Sequence, residues 1–249
     1  MNQPRPHSSA SEKPFIEHLE ELRVVLLKSA CVLIVATCAG FFAAPQIIKV
    51  LIWPLERVVP AGEGGLAGLG LLRTLRPAGG FMIGLKAAFL SGVIVSLPFV
   101  FYFLAGFIIP GLTKRERKVI VPAFTFATML FVAGMAFCYF LVLPVALRFF
   151  WGYSEGLGIR NDWIIENYIS FVVQFLVAFG VVFELPCVIL GLVKAGVLTP
   201  QMLRGKRKHA IVGAFIVAAV VTPTPDIITQ VLVGIPLVLL YEACIWLSS

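Results

Sequence analysis

The 249-residue chain is poor in charge: 13% of its residues are Asp, Glu, Lys or Arg, against 59% hydrophobic, with a mean hydropathy of +0.98. Soluble domains carry roughly 25% charged residues, so a soluble globule is excluded. Histidine is scarcer still. His7, His18 and His209 all lie outside the deep parts of the apolar runs. With no histidine deep in a span and no HExxH, an intramembrane serine or metal protease lacks its base or its ligands. A P-loop is missing too, and the glycine-rich run Ala61–Gly70 (AGEGGLAGLG) precedes no suitable helix start, so it reads as a flexible loop. No nucleotide site, cofactor site or enzymatic constellation is expected.

Cysteine offers nothing further. Cys31, Cys38, Cys138, Cys187 and Cys244 all sit in apolar runs without a CxxC pair, as small hydrophobes do. No internal repeat is evident, which weakens an inverted-repeat transporter. Nor do basic and aromatic residues interleave. The net charge of +7 therefore reads as topology and attraction to anionic membrane lipid, not as nucleic-acid binding.

What the chain has is long apolar runs. A bilayer helix needs about 20 mainly apolar residues. Six spans are read: Val25–Ala44, Leu85–Ile109, Val119–Leu143, Tyr168–Val193, Ala210–Val221 and Ile227–Leu247. The runs are continuous, without the alternation of a β-barrel. The fold class is an all-α integral membrane protein, with one domain over 15–247 behind a disordered tail at 1–14. That tail is too polar and proline-rich for a secretory signal. Thirteen of the 20 basic residues fall in 1–28, 111–118 and 194–209, so the positive-inside rule puts both termini in the cytoplasm.

Helices 5 and 6 read as short. Between His209 and Pro223 lie 13 residues, roughly 20 Å of helix against a hydrocarbon core of about 30 Å. Helix 6 carries Gln230 near its start and Glu242 near its end, which leaves about eleven uninterrupted apolar residues between them. The prolines of TPTPD (Thr222–Asp226) make the hairpin, and Asp226 can cap the next helix. Such spans thin the bilayer or recruit partner helices.

Carboxylates are the remaining candidates for chemistry. Glu17, Glu20 and Glu21 cluster in the amphipathic entry to helix 1, and Glu116 stands among four cations in LTKRERK. Surface acids of this kind are ordinarily solvated or locally paired. Two of them at one membrane face can, however, grip a guanidinium bidentately. Glu184, in FGVVFELP, differs in kind. A charge at helix centre costs about 2.5–3.5 kcal/mol, and an intramembrane acid points to function. Pro186 removes a backbone donor there and kinks the helix. A protonated structural acid and a proton relay both remain open readings of Glu184.

HLEELR (His18–Arg23), FIIPGLTKRERK (Phe107–Lys118), FVAGMAFCYFLVLP (Phe131–Pro144), FGVVFELP (Phe179–Pro186) and TPTPDIITQ (Thr222–Gln230) occur in one order. Over residues 15–247 the chain resembles the TatC family of twin-arginine protein translocase subunits. The resemblance implies six helices in a concave bundle in the bacterial cytoplasmic (inner) membrane. It also implies a receptor core that binds twin-arginine signal peptides and exports folded proteins. By family correspondence the signal-binding patch is Glu21 and Glu116, with His18, Arg23, Phe107 and Pro110 around it. Glu184 and Pro186 line an intramembrane groove, and Asp226 and Gln230 lie where single-span TatA/TatB-type subunits dock in an oligomeric complex. The chain departs from the pattern at Val25, Phe103 and Ala105, and at Gly79 and Gly80, where family members often carry an acidic residue. The alternative class is a proton-coupled small-solute transporter using Glu184.

Overall fold

The computed structural model describes residues 15–58, 72–108, 114–159, 163–194, 196–222 and 226–248, with the side chains of 15–18, 72–73, 108 and 114–122 outside the description. The tail at 1–14 and the glycine-rich run Ala61–Gly70 lie outside the described residues. Nearly everything described is helix. Helix α1 (Phe15–Phe42) is followed by α2 (Ala44–Glu56), a short strand β1 (Leu72–Arg73) and α3 (Gly79–Ile108). Helix α4 (Lys114–Phe137) passes through a π-helical turn, Cys138–Val142, into α5 (Leu143–Gly156). Strand β2 (Trp163–Ile164), α6 (Ile165–Val182), α7 (Leu185–Lys194), α8 (Pro200–Gly205), α9 (Arg207–Val221) and α10 (Ile227–Leu247) complete the chain.

Five stretches among the described residues are long and apolar enough to cross a membrane: Leu19–Phe42, Gly79–Phe107, Ala123–Gly156, Ile165–Lys194 and Ile227–Leu247. The fifth expected helix is α9, whose 15 residues reach roughly 22 Å. The last helix is not short as a backbone element. Its 21 residues reach roughly 31 Å, because Gln230 and Glu242 interrupt its apolar surface without ending it. The third span also runs further than expected, to Gly156. Pro144 cannot donate to the carbonyl four residues back, and the chain absorbs this by widening into the π turn, where the Leu143 N–H reaches the Cys138 carbonyl.

Helices α1 and α3 pack antiparallel through small residues. A Cβ on Gly92 would meet the backbone of Thr37, and Gly40 faces Ser91 and the Ala88 carbonyl. In lipid, where apolar burial gives helices no net drive to associate, such close approach supplies the packing energy. Helix α6 is the centre of the bundle. Ile169, Val172, Phe175 and Phe179 are fully buried, and Phe131, Leu143 and Leu147 join them from α4 and α5. The rings of Phe171 and Phe175 stack with centroids 4.5 Å apart, and Phe175 continues to Phe179 at 6.2 Å.

Helix α2 lies beyond the first expected span, Val25–Ala44, and holds two prolines, Pro45 and Pro54. Pro45 sits in its first turn, where no donor is needed. Two tyrosines anchor it: Tyr139 Oη donates to the Val50 carbonyl at 2.7 Å and Tyr168 Oη to the Leu51 carbonyl at 2.8 Å. The π turn presents Tyr139 to Trp53, the two rings lying 3° from parallel at 5.7 Å, and Arg57 covers the Trp53 ring at 3.7 Å. Beside this cap, β1 and β2 pair in parallel, Leu72 with Trp163 and Arg73 with Ile164.

Candidate functional site

Antiparallel packing of α1 on α3 sets the ends of the bundle. The start of α1, the end of α3 and the start of α4 all lie at the same end, called proximal below; the other end is distal. Glu21 and Arg23 stand in the second and third turns of α1, Glu21 half-buried and Arg23 exposed. Phe107 closes α3 half-buried. Glu116 belongs by backbone to the first turn of α4, and His18 to the first turn of α1. Their side chains, and Pro110 altogether, lie outside the described residues. The fold thus carries the backbone of Glu116 to the end of the bundle where Glu21 stands.

Glu184 lies at a break. Helix α6 ends at Val182 and α7 begins at Leu185, where Pro186 offers no N–H to the carbonyl four residues back. The turn tightens there: Glu184 N–H donates to the Val181 carbonyl at 3.0 Å, three residues back, while the Glu184 carbonyl accepts from Val188 N–H at 3.0 Å. Pro186 is buried and Glu184 half-buried. One carboxylate oxygen, Oε1, is buried without a hydrogen-bond partner. The break is wedged by α4: Gly134 lies under Phe183 and the Phe179 carbonyl, and Phe137 packs on Phe183 with ring centroids 5.5 Å apart. Cys187, one turn on, points its thiol at the Ala123 carbonyl at 3.7 Å. The break is therefore packed against α4 on the side of Phe183 and Cys187.

The hairpin residues are engaged inside the chain. Asp226 caps α10, its carboxylate accepting from Thr229 N–H at 2.7 Å and from Thr229 Oγ1 at 2.6 Å. Gln230 Nε2 donates to the Phe215 carbonyl of α9 at 3.1 Å, and Gly234 lets the Phe215 ring approach α10. At the proximal end of the same pair, Arg207 meets Glu242 at 2.8 Å and Tyr241 Oη donates to the Leu203 carbonyl at 2.9 Å. Helices α9 and α10 thus form one knitted unit, and the first role visible for Asp226 and Gln230 is to hold it.

Two polar groups have partners too distant in sequence to be legible locally. Glu166, in the first turn of α6, accepts from Thr74 Oγ1 at 2.5 Å and fills the space beside Gly79, where any Cβ would collide with its carboxylate. An acid is thus brought to the start of α3 from another helix. Lys86, at the outer edge of the expected span Leu85–Ile109, lies two turns inside α3 and donates to Ser170 Oγ of α6. Neither pairing leaves a signal in local spacing, since 92 and 84 residues separate the partners. All five cysteines are free. Among the described residues no three His, Cys, Asp or Glu side chains gather as metal ligands.

Comparison with known proteins agrees with this architecture. Residues 17–236 match the family model described as Sec-independent protein translocase protein TatC. A protein so named from Akkermansia muciniphila is 45% identical over 190 residues, 76% of this chain; the chain spans 55% of that relative's length. The namesake from Aquifex aeolicus is 37% identical over 237 residues and 95% of both chains. A crystal structure of the twin arginine translocase receptor TatC in DDM superposes with a TM-score of 0.81 at 37% identity, covering 93% of this chain and 99% of that one. These matches give the solute-transporter alternative no support.

Proposed function

The chain belongs to the TatC family of Sec-independent protein translocase proteins, and we propose that it is the receptor core that recognises twin-arginine signal peptides on folded cargo. It is a multi-pass protein of the bacterial inner membrane. In the proposed reading both termini face the cytoplasm, and Glu21 with Glu116 grips the two guanidinium groups of the signal. A carboxylate accepts both N–H bonds of a guanidinium fork, which makes arginine a far better match than lysine. His18, Arg23, Phe107 and Pro110 frame that patch. The apolar part of the signal then enters the bundle along the groove that carries Glu184, and single-span TatA/TatB-type subunits assemble on the α9–α10 unit. No covalent chemistry is needed, and the transport energy comes from the membrane gradients.

The observation that carries this reading is the shared end of the bundle. Glu21 stands near the start of α1, and the helix bearing Glu116 starts where α3 ends, so two acids meet a cytoplasmic signal together. The test is photocrosslinking of a twin-arginine signal peptide to membranes carrying the chain. Glu21→Ala with Glu116→Ala should reduce capture at least tenfold, and a twin-lysine peptide should be captured weakly by the unaltered chain. Undiminished capture by the double variant sinks the assignment of the patch.

A further inference from the structure

Lys86 sits seven residues inside α3, roughly 10 Å of helix from its distal start. A lysine in a membrane span is costly unless something answers its charge. Its ammonium donates to Ser170 Oγ, which donates in turn to the Glu166 carbonyl; both are neutral acceptors. The acid that sequence proximity suggests, Glu166, is turned the other way, onto Thr74 beside Gly79, with Arg76 as its nearby cation. No ion pair joins Lys86 to a carboxylate among the described residues.

The surroundings have the shape of an amphiphile. Lys86, Ser170 and Gln174 supply polar lining to an open groove of about 460 Å³ between α3, α6 and α9, whose apolar lining includes Phe89, Val177 and Ala178. Gln174 and Phe89 are exposed. Helix α9 ends in this groove: its last carbonyl, Val221, accepts from Gln174 Nε2 at 3.3 Å. Gln174 is nine residues along α6 from Ile165, so this short helix stops roughly 14 Å below the distal start of its neighbour. A span that stops early draws the headgroup layer inward at that edge. Glu184 lies 14 residues beyond Ser170 on the same path, roughly 21 Å away, so this groove is separate from the break that holds it.

We propose that this groove is a phospholipid site, with the lipid phosphate seated on Lys86 and Ser170 and one acyl chain lying over Phe89, Val177 and Ala178. The phosphate supplies the anion that the chain itself withholds from Lys86. Long basic side chains ordinarily reach outward to find headgroups. Here Lys86 is held sideways by Ser170, and the headgroup comes inward to it, through the gap above the end of α9. A basic recess between spans is a recognised kind of headgroup site. The proposal stands apart from signal-peptide recognition, since none of its residues belongs to the proximal patch.

The test uses the full chain, stripped of lipid, in dodecyl maltoside micelles, which contain no phosphate. A trace of phosphatidylglycerol with a photoreactive acyl chain is added, and adducts are mapped by peptide mass spectrometry. The expected adducts lie on the peptides around Phe89 and Val177. They should fall at least fivefold in Lys86→Gln and persist in Lys86→Arg. They should also be absent with a photoreactive diacylglycerol, which has the chains without the phosphate. The last comparison uses only the unaltered chain, so it decides the matter even where Lys86→Gln folds poorly. Equal labelling by diacylglycerol, or displacement by 10 mM-scale inorganic phosphate at about the strength of unlabelled lipid, overturns the proposal. So does capture, in native membranes, of a protein helix instead of lipid by a photoreactive residue placed at Phe89.

Discussion

The hydroxyl of Tyr139 donates to the carbonyl of Val50 at 2.7 Å, the acceptor that Pro54, four residues on, leaves without its helical N–H. A proline inside a helix strands the carbonyl one turn back, and here the Tyr139 hydroxyl answers it. Tyr139 is presented to α2 by the π turn, which itself exists because Pro144 cannot donate. One proline defect thus positions the side chain that repairs the other.

Tyr139→Phe keeps the ring over Trp53 and removes only the donor. It should lower stability by about 1 kcal/mol, read as a fall in the Tm of the purified protein in detergent. Pro54→Ala restores a backbone N–H for Val50. The loss caused by Tyr139→Phe should therefore shrink by at least half in a Pro54→Ala background, a coupling measured by the double-mutant cycle. Additive effects count against the repair.

Much of this architecture is legible in the sequence, and the limits have physical causes. Runs of apolar residues mark the spans because a bilayer helix must be apolar along its length, and Pro186 marks the weak point beside Glu184 because its missing N–H leaves a carbonyl one turn back unanswered. Asp226 reads as a cap for the same local reason, and its carboxylate does accept from Thr229. Helix α2 is not legible locally, because its 13 residues are too short to span and the tyrosines that anchor it, Tyr139 and Tyr168, lie far along the chain. Shortness of the last helix was misjudged by counting apolar residues in place of backbone turns. The pairings of Glu166 and Lys86 are not legible locally because their partners, Thr74 and Ser170, are distant in sequence and reached only through the packing of α6 on α3.

Asp226 tests whether capping and partner docking are separable. Asp226→Ala removes the side-chain acceptor for Thr229 N–H and the shorter of the Thr229 hydroxyl's two bonds to Asp226, at a cost of about 1–2 kcal/mol. Asp226→Asn keeps a capping oxygen and should lose only a few tenths of that. If Asp226 acts through the hairpin's shape, single-span subunits should copurify with Asp226→Asn as with the unaltered chain, and less with Asp226→Ala. Loss of copurification in Asp226→Asn at unchanged Tm points instead to a direct contact by its charge.

Glu184 separates stability from function in the opposite sense. Its Oε1 is buried without a partner, so the fold pays a desolvation cost it does not recover. Glu184→Leu should therefore leave Tm unchanged or raise it, while export of a twin-arginine reporter to the periplasm falls several-fold. Glu184→Gln, which keeps the polarity, should retain more export than the leucine variant. A lower Tm for Glu184→Leu identifies a structural acid and removes the reason for placing it in the signal's path.

Packing at the break depends on one residue without a side chain. A Cβ on Gly134 would lie 2.6 Å from both the Phe179 carbonyl and the Phe183 ring carbon Cγ, closer than real contacts allow. The carbonyl belongs to α6 and cannot move without shifting the break, so relief comes only by separating α4 from α6. Gly134→Ala should cost about 1–3 kcal/mol, the usual range for overpacking, and Gly134→Val more. Because the displaced element carries Glu184, export should fall further than the loss of folded protein explains. Measuring export per unit of folded chain in membranes tests this: a constant ratio across Gly134→Ala and Gly134→Val would mean that α4 and α6 can part without disturbing the site.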